Sequence, residues 1–404
     1  MKGNENTWDY VLVGGGLQTG LMALAIRHYQ PRARVAIVER GPTLAGNHTW
    51  SFHGTDVPAD SEVWIQPLIV SRWDGYDIYV GGRLRHVQLE YCTISSTHFA
   101  SVVEQALGVH ACAILTGATA AEVSNTQVRL SDGRCLEAAV VIDNRGPVPT
   151  DSLNVSGGYQ KFWGFEVELD QDWYLAHPRV MDDRIDQHDG FRFIYTLPFE
   201  RRRVLVEDTR FSNSPRIDRD ECLLKVRQYL ANQGILEWRI IREESGVLSM
   251  PTQGNLPGNT LPYLAGGYRG GWFHAATGYS FPMAVTLAKI VAKTPVAELS
   301  SKVQELADEH VVRARFARFL NRLLFDLVKP QTRYQIFRRF YRVLDESRIA
   351  RFYGHRFTRS DAFRIVVGLP PGGLQPVHFL RSLLRVKTPM SKPTVSTIAN
   401  GVTS

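Results

Sequence analysis

The residues RVLVEDTRFS at 203–212 set two carboxylates, Glu207 and Asp208, side by side in a run of β-formers. Successive side chains of a strand face opposite sides. Val204, Val206 and Asp208 then share one face, and Leu205, Glu207 and Thr209 the other. Whichever face meets the interior takes one carboxylate with it, and a carboxylate withdrawn from water is costly unless it is paired or protonated. Two chemistries follow. Paired with Arg192 or Arg203 on a neighbouring strand, the acid is a structural ion-pair partner, which is the plainer reading. Kept neutral by an apolar pocket, it becomes a proton donor.

The elements that must position such a group begin with a nucleotide-binding pattern. Residues 9–13 (DYVLV) form an apolar strand that leads into Gly14, Gly15 and Gly16, then Leu17, Gln18, Thr19 and Gly20, and a helical stretch LMALAIRHY. A second strand, VAIVE, ends at Glu39, followed by Arg40. This is the strand–glycine turn–helix–strand–acid order of a Rossmann unit. Gly14 makes the tight turn, Gly16 lets the backbone approach a pyrophosphate at the helix N-terminus, and Glu39 would hold ribose hydroxyls. The third glycine of the usual pattern is displaced by one residue: Thr19 stands there and Gly20 follows.

A second glycine-rich segment, 264–292, places Gly278, Tyr279 and Ser280 just before an amphipathic helix, another N-terminus ready for a polarised ligand group. Two widely separated halves of one nucleotide site are what FAD requires, because its isoalloxazine lies far from its adenine. DNRG at 143–146, after the apolar run AAVVI, fits a third segment returning to the cofactor through Asp143 and Gly146. Residues 264–271 hold no acid, where many flavin hydroxylases carry an aspartate after a glycine, and this argues against ordinary hydroxylase chemistry. Between these segments, residues 160–212 read as several strands rich in Phe, Trp and Tyr with a hairpin at LPFERRR. Such a sheet can floor a large apolar cavity.

At this point the sequence resembles the bacterial lycopene β-cyclase family. The likeness rests on NHTWSFH (47–53), WGFEVEL, MDDRIDQHDGFRFIYTLPF, VEDT (206–209), FHAATGYSFPMAV (273–285), FLNRLLF (319–325) and RFYRVL with IARFYGHRFT (339–358), in that order over nearly the whole chain. It departs at PPGG near residue 370, where the family usually adds a valine and a proline. The resemblance implies an α/β chain: a Rossmann-type FAD-binding flavoprotein fold, an antiparallel β-sheet substrate region and a helical C-terminal subdomain. The expected divisions are 1–150 and 256–300 for FAD, 151–255 for the substrate, and 301–404 for a basic amphipathic helical region. It implies FAD in its reduced form with NAD(P)H as reductant, lycopene and other carotenoids with linear ends as substrates, and no net electron transfer. Catalysis falls to Glu207 and Asp208. The cofactor contacts are Gly14, Gly15, Gly16, Gly20, Glu39, Arg40, His48, Thr49, Trp50, Asp143, Gly146, Gly278, Tyr279 and Ser280. For His48, His53 and His274 a packing or hydrogen-bonding role is the expectation.

The chemistry agrees with that assignment. Lycopene is a hydrocarbon with nothing to polarise, so only proton addition to a terminal C=C can start ring closure. A hydrated carboxylate at pH 7 cannot supply that proton, whereas a carboxyl in an apolar pocket can. Glu207 is the candidate acid. The same residue, Asp208 or a reduced flavin nitrogen could take the ring proton back. The competing readings are a flavin reductase or hydroxylase acting on an apolar isoprenoid, whose product would change mass, and a non-catalytic prenyl-lipid carrier.

Bulk properties narrow the setting. The 404 residues carry a formal charge of +7, yet 311–357 hold 12 Lys/Arg against 3 Asp/Glu, so the basic excess is local and calls for an anionic partner. Phe316, Phe319, Leu320, Leu323, Leu324 and Leu327 stand at helical spacing with arginines opposite. Core packing combined with peripheral contact to membrane lipid is the expectation, on the cytoplasmic face of the inner membrane, with no nucleic acid. The four scattered cysteines imply a reducing compartment and no disulfide framework. No signal peptide or membrane-spanning run is expected. Asp182, Asp183 and Asp186 lack the spacing of a calcium loop, and no metal is expected.

Overall fold

A computed structural model describes residues 7–108, 112–147, 156–253 and 261–367. The PPGG departure lies outside the described residues. Thr7–Val13 and Val35–Val38 are near-continuous apolar runs, the pattern of parallel strands covered on both faces. They pair in parallel with each other, and the sheet runs Cys112–Leu115, Val35–Val38, Thr7–Val13, Cys135–Asp143, Gln127–Leu130, Ala120–Val123. The last two strands turn back antiparallel. Leu17–Tyr29, buried from Leu17 to Ile26, links the first two strands and packs between Ser96–Leu107 and Phe281–Lys293. Val13, Glu39 and Asp143 thus come together at the carboxyl ends of parallel strands, where this architecture binds ligands. Asp143 also bridges in parallel to Ala265, which brings the downstream glycine segment to the same edge.

The second sheet has seven strands in the order Trp238–Gln253, Ser156–Leu169, Arg203–Ser212, Phe191–Pro198, Arg179–Asp182, Tyr76–Val80, Arg83–Val87. The hairpin expected at LPFERRR joins Phe191–Pro198 to Arg203–Ser212. Two expectations need correction. The sheet is not wholly antiparallel, since Arg179–Asp182 runs parallel to Tyr76–Val80. The division at residue 150 is crossed, because Tyr76–Val80 and Arg83–Val87 leave the N-terminal region to complete this sheet. The physical reason is that Tyr76, Ile78 and Val80 alternate inward and bury against Met181, Phe191 and Phe193.

One face of this sheet packs Val204, Val206, Ile194 and Phe165 against the helix Arg219–Asn232 through Cys222, Val226 and Leu230. The other face, with Phe191, Phe193 and Phe211, is roofed by the C-terminal helices through Leu324, Phe337, Tyr341 and Ile349. There too the structure departs from simple helical spacing. Val296–Asn321 widens into a π-helical turn over Arg322–Leu327, which rotates the stripe. Ala314, Ala317 and Asn321 are buried just upstream, while Phe316 and Phe319 are only half-buried. Arg333 is buried: its guanidinium donates to the carbonyls of Leu324 (2.8 Å) and Phe211 (3.0 Å), closing the π turn onto the sheet. Among the described residues no helix is long and apolar enough to cross a membrane.

Candidate active site

A cavity of about 1580 Å³ runs without interruption from the glycine turn of the first sheet to the aromatic face of the second. At the glycine end the backbone does most of the shaping. Gly14 has φ +94°, and a methyl there would stand 2.9 Å from the amide nitrogen of Arg145. Gly16 caps the helix with no side-chain hydrogen bond, and a methyl on it would meet nothing within 4 Å, because it would project into open space. The helix N-terminus therefore presents unsatisfied N–H groups to the cavity. Glu39 lines the same end, its carboxylate accepting the N–H of Gly15 (2.5 Å) and of Gly41 (2.6 Å). Gly15, Arg40, His48, Thr49, Trp50, Gly146, Gly278, Tyr279 and Ser280 line the cavity as well. An open glycine turn, a bare helix N-terminus and an acid after the second strand fit a dinucleotide such as FAD.

Two of the residues expected there sit elsewhere. Gly20 is a packing glycine: a methyl would lie 2.3 Å from the ring of Phe99. The displaced glycine is thus explained, since Thr19 instead donates to the Gly14 carbonyl and accepts from Asn144 Nδ2 at 2.9 Å. Asp143 is fully buried outside the cavity lining and is held by Arg145 (Nη2, 2.8 Å) and Arg269 (Nε, 2.9 Å). Burial opposes its charge, but those guanidinium bonds win and hold its carboxyl below the usual range.

At the far end the pair of adjacent acids divides. Glu207 and Thr209 face the cavity. Asp208 faces the opposite way, accepting Nε of Arg192 at 2.9 Å, a second Arg192 nitrogen, and Nη2 of Arg210 at 3.1 Å. It does not line the cavity, so the expected catalytic contact is not made by Asp208. Arg203 pairs with Glu166 instead (2.6 Å). Glu207 is 8% exposed and, among the described residues, no cation is paired with it. Burial, seconded by the nearby charge of Glu244, pushes its carboxyl up to about 8, against the opposing hydrogen bond from Thr209 Oγ1 to Oε1 (2.5 Å). Phe193, Phe211, Phe337, Phe340 and Phe352 line the same cavity, with Tyr91, Tyr195 and Tyr353.

Of the further polar groups here, Tyr195, Ser51, Tyr91 and Asp56 had no sequence signal. Tyr195, opposite Glu207 in register, donates to Ser51 Oγ at 2.8 Å and meets the Tyr91 hydroxyl at 3.0 Å. The alternation FRFIYTLP could place Phe191, Phe193 and Tyr195 on one face, but nothing local links them to residues 51 and 91. Asp56, buried, accepts the Tyr279 hydroxyl at 2.7 Å. His53 meets the Tyr76 hydroxyl at 3.1 Å, and His274 is buried, its imidazole lowered to about 3 by desolvation. Asp182, Asp183 and Asp186 are each taken up separately, by Arg184, the Gly81 N–H and Lys225. Among the described residues one group, Asp77, His86 and His177, brings potential ligand atoms within 4.8 Å, outside the cavity lining.

The architecture is that of flavin-dependent enzymes. The chain superposes on a geranylgeranyl bacteriochlorophyll reductase-like protein from Thermoplasma acidophilum with TM-score 0.55 at 13% identity, covering 89% of this chain and 96% of that one. It superposes on a flavin-dependent brominase with TM-score 0.57 at 10% identity, over 94% and 99% of the two chains. The sequence is more specific. Residues 9–377 match the lycopene cyclase protein family, and the chain belongs to it. It is 36% identical over 369 residues to the lycopene beta-cyclase of Pantoea ananas, covering 90% of this chain and 95% of the relative. The enzyme of the same name from Pseudescherichia vulneris is likewise 36% identical over 369 residues, and that of a Paracoccus strain 34% over 375.

Proposed function

We propose that this chain closes the linear ends of lycopene into β-ionone rings by acid–base catalysis, with Glu207 as the acid. The observation that carries the reading is a carboxyl raised to about 8, facing an apolar cavity that continues into the glycine-turn site. A buried acid without a cation can hold its proton at pH 7 and deliver it to an alkene. Thr209 donates to Oε1, which leaves Oε2 as the oxygen to carry and deliver the proton. After delivery the substrate carries a tertiary carbocation, which nearby aromatic faces stabilise by roughly 0.5–2 kcal/mol each. Loss of a ring proton back to Glu207 restores the acid with no change of oxidation state. Asp208 contributes by fixing the strand through Arg192 and Arg210. Gly14, Gly15, Gly16, Glu39, Arg40, Thr49, Trp50, Tyr279 and Ser280 would hold FAD. When bound in its reduced form, maintained by NAD(P)H, the flavin supplies negative charge near the cation.

A bilayer-resident substrate also supports membrane contact by the basic C-terminal helices. Val312, Phe363 and Val366 are exposed there, and Leu320, Leu323 and Val366 line the cavity. The face concerned would be the cytoplasmic one, and flotation with anionic liposomes that is lost in high salt is the expected behaviour. The decisive experiment expresses the chain in lycopene-accumulating cells. A ringed product of unchanged mass, carrying deuterium when turnover runs in heavy water, is expected. Unaltered lycopene, a product of changed mass, or near-normal cyclisation by Glu207→Gln would overturn the reading.

A further inference from the structure

The seven-stranded sheet aligns Glu207 with a second buried acid. In the register Gly164 pairs with Glu207 on one side and with Glu244 on the other, so the three lie in one row on one face. Neighbouring strands stand about 4.8 Å apart, which puts roughly 10 Å between the two acid-bearing backbones, with a glycine between them. A methyl on Gly164 would lie 3.3 Å from Glu244 Cγ, 3.3 Å from Leu205 Cδ1 and 3.4 Å from Glu207 Cβ, so both acids border the space the glycine leaves, with Leu205 beside them.

The two acids have unequal surroundings. Glu244 Oε2 receives Arg242 Nη1 at 2.7 Å and Thr49 Oγ1 at 2.8 Å, and Arg242 is itself fixed by Glu166 (2.9 Å) and Asn47 (2.9 Å). Glu207 receives one hydroxyl, from Thr209, and no cation. Both are buried, at 6% and 8% exposure, so little water screens one from the other. When two carboxylates share a dry region, the one with the guanidinium ionises and its charge holds the proton on the other. The remaining groups around Glu207 do not reverse this. Tyr195 and Tyr91 are phenols kept neutral by burial. Asp208 is closed into its arginine pair on the opposite face, and Glu166 is shared between Arg203 and Arg242.

Burial raises the Glu244 carboxyl too, but Arg242 and Thr49 oppose that rise, and Glu207 has no such guanidinium. We propose that Glu244 is a positioning residue for catalysis, the arginine-held charge that keeps Glu207 protonated across Gly164. The proposal rests on the reading of Glu207 as the acid, and it also gives residue 164 a reason to lack a side chain. The test titrates Glu207 directly in the full-length, FAD-loaded protein without substrate, by the infrared band of its protonated carboxyl, identified as the band missing in Glu207→Gln. In the parent the band persists to about pH 8. In Glu244→Gln it is lost roughly one pH unit lower or more, and the alkaline limb of turnover moves with it. Glu244→Asp, which keeps the charge, restores the parent titration. Where Glu244→Gln does not fold, the double variant Arg242→Gln/Glu244→Gln leaves no lone buried charge and carries the same expectation. An unmoved or raised titration in these variants overturns the proposal. If the titration falls as expected but Glu207→Gln still cyclises lycopene, the coupling stands and the assignment of the acid falls instead.

Discussion

Replacing Glu207 by Gln should have opposite effects on activity and stability, and the second effect reports the state of the acid without any substrate. An unfolded glutamate loses its proton near 4.5, whereas the folded side chain keeps it to about 8. Between those values the native state binds the extra proton, so the contribution of this group to stability falls as pH rises through that window and is gone above it. Each tenfold change in a protonation equilibrium is about 1.4 kcal/mol, so the whole displacement is worth about 5 kcal/mol for a group this deeply buried. Gln is neutral in both states and has no such slope, and its amide oxygen can still accept the Thr209 hydroxyl. Urea unfolding of the flavin-loaded chain, followed by tryptophan fluorescence at intervals between about pH 5 and about pH 8, should therefore show Glu207→Gln gaining steadily on the parent by up to about 4 kcal/mol. Cyclisation should fall about 10²–10⁴-fold at the same time, the usual worth of a positioned general acid. Parallel stability curves for parent and variant would mean that Glu207 is ionised in the native protein, and the mechanism would fail with it.

The part of this site that was legible in sequence is the part set by local periodicity. Alternation along 203–212 already required one acid on each face, and the glycine turn, Leu17–Tyr29 and Glu39 follow from a few adjacent residues. What decided the roles is non-local. Whether Arg192 or Arg203 takes Asp208 depends on the register of Phe191–Pro198 against Arg203–Ser212, and that register puts Arg192 beside it. The row Glu207–Gly164–Glu244 depends on Ser156–Leu169 lying between two strands far from it in sequence. Tyr76–Val80 reads as a strand anywhere, but only its partner Arg179–Asp182 shows which sheet it completes. The C-terminal stripe, whose Leu324 and Leu327 are buried, is turned for a different reason: a π turn adds a residue to the helical repeat, and no composition signal in RLLFDL announces it.

Asp208→Asn should cost about 3 kcal/mol, seen as a lowered unfolding midpoint. It removes the carboxylate that receives both Arg192 and Arg210, leaving Glu221 as their remaining partner; an unchanged midpoint would deny the pair its structural role. The two glycines at either end of the first helical turn should fail in different ways. Gly20→Ala drives a methyl into the Phe99 ring and should lose about 1–3 kcal/mol of stability, partly recovered by Phe99→Leu. Gly16→Val meets no protein atom nearby, and the backbone there, at φ −82°, suits any residue, so its unfolding midpoint without flavin should match the parent. Its side chain instead fills the space in front of the helix N-terminus, so flavin absorbance should be lost from the purified protein. If Gly16→Val retains full flavin, the dinucleotide does not approach this turn. A Gly20→Ala variant that loses flavin while staying as stable as the parent would move the third glycine back from packing to binding.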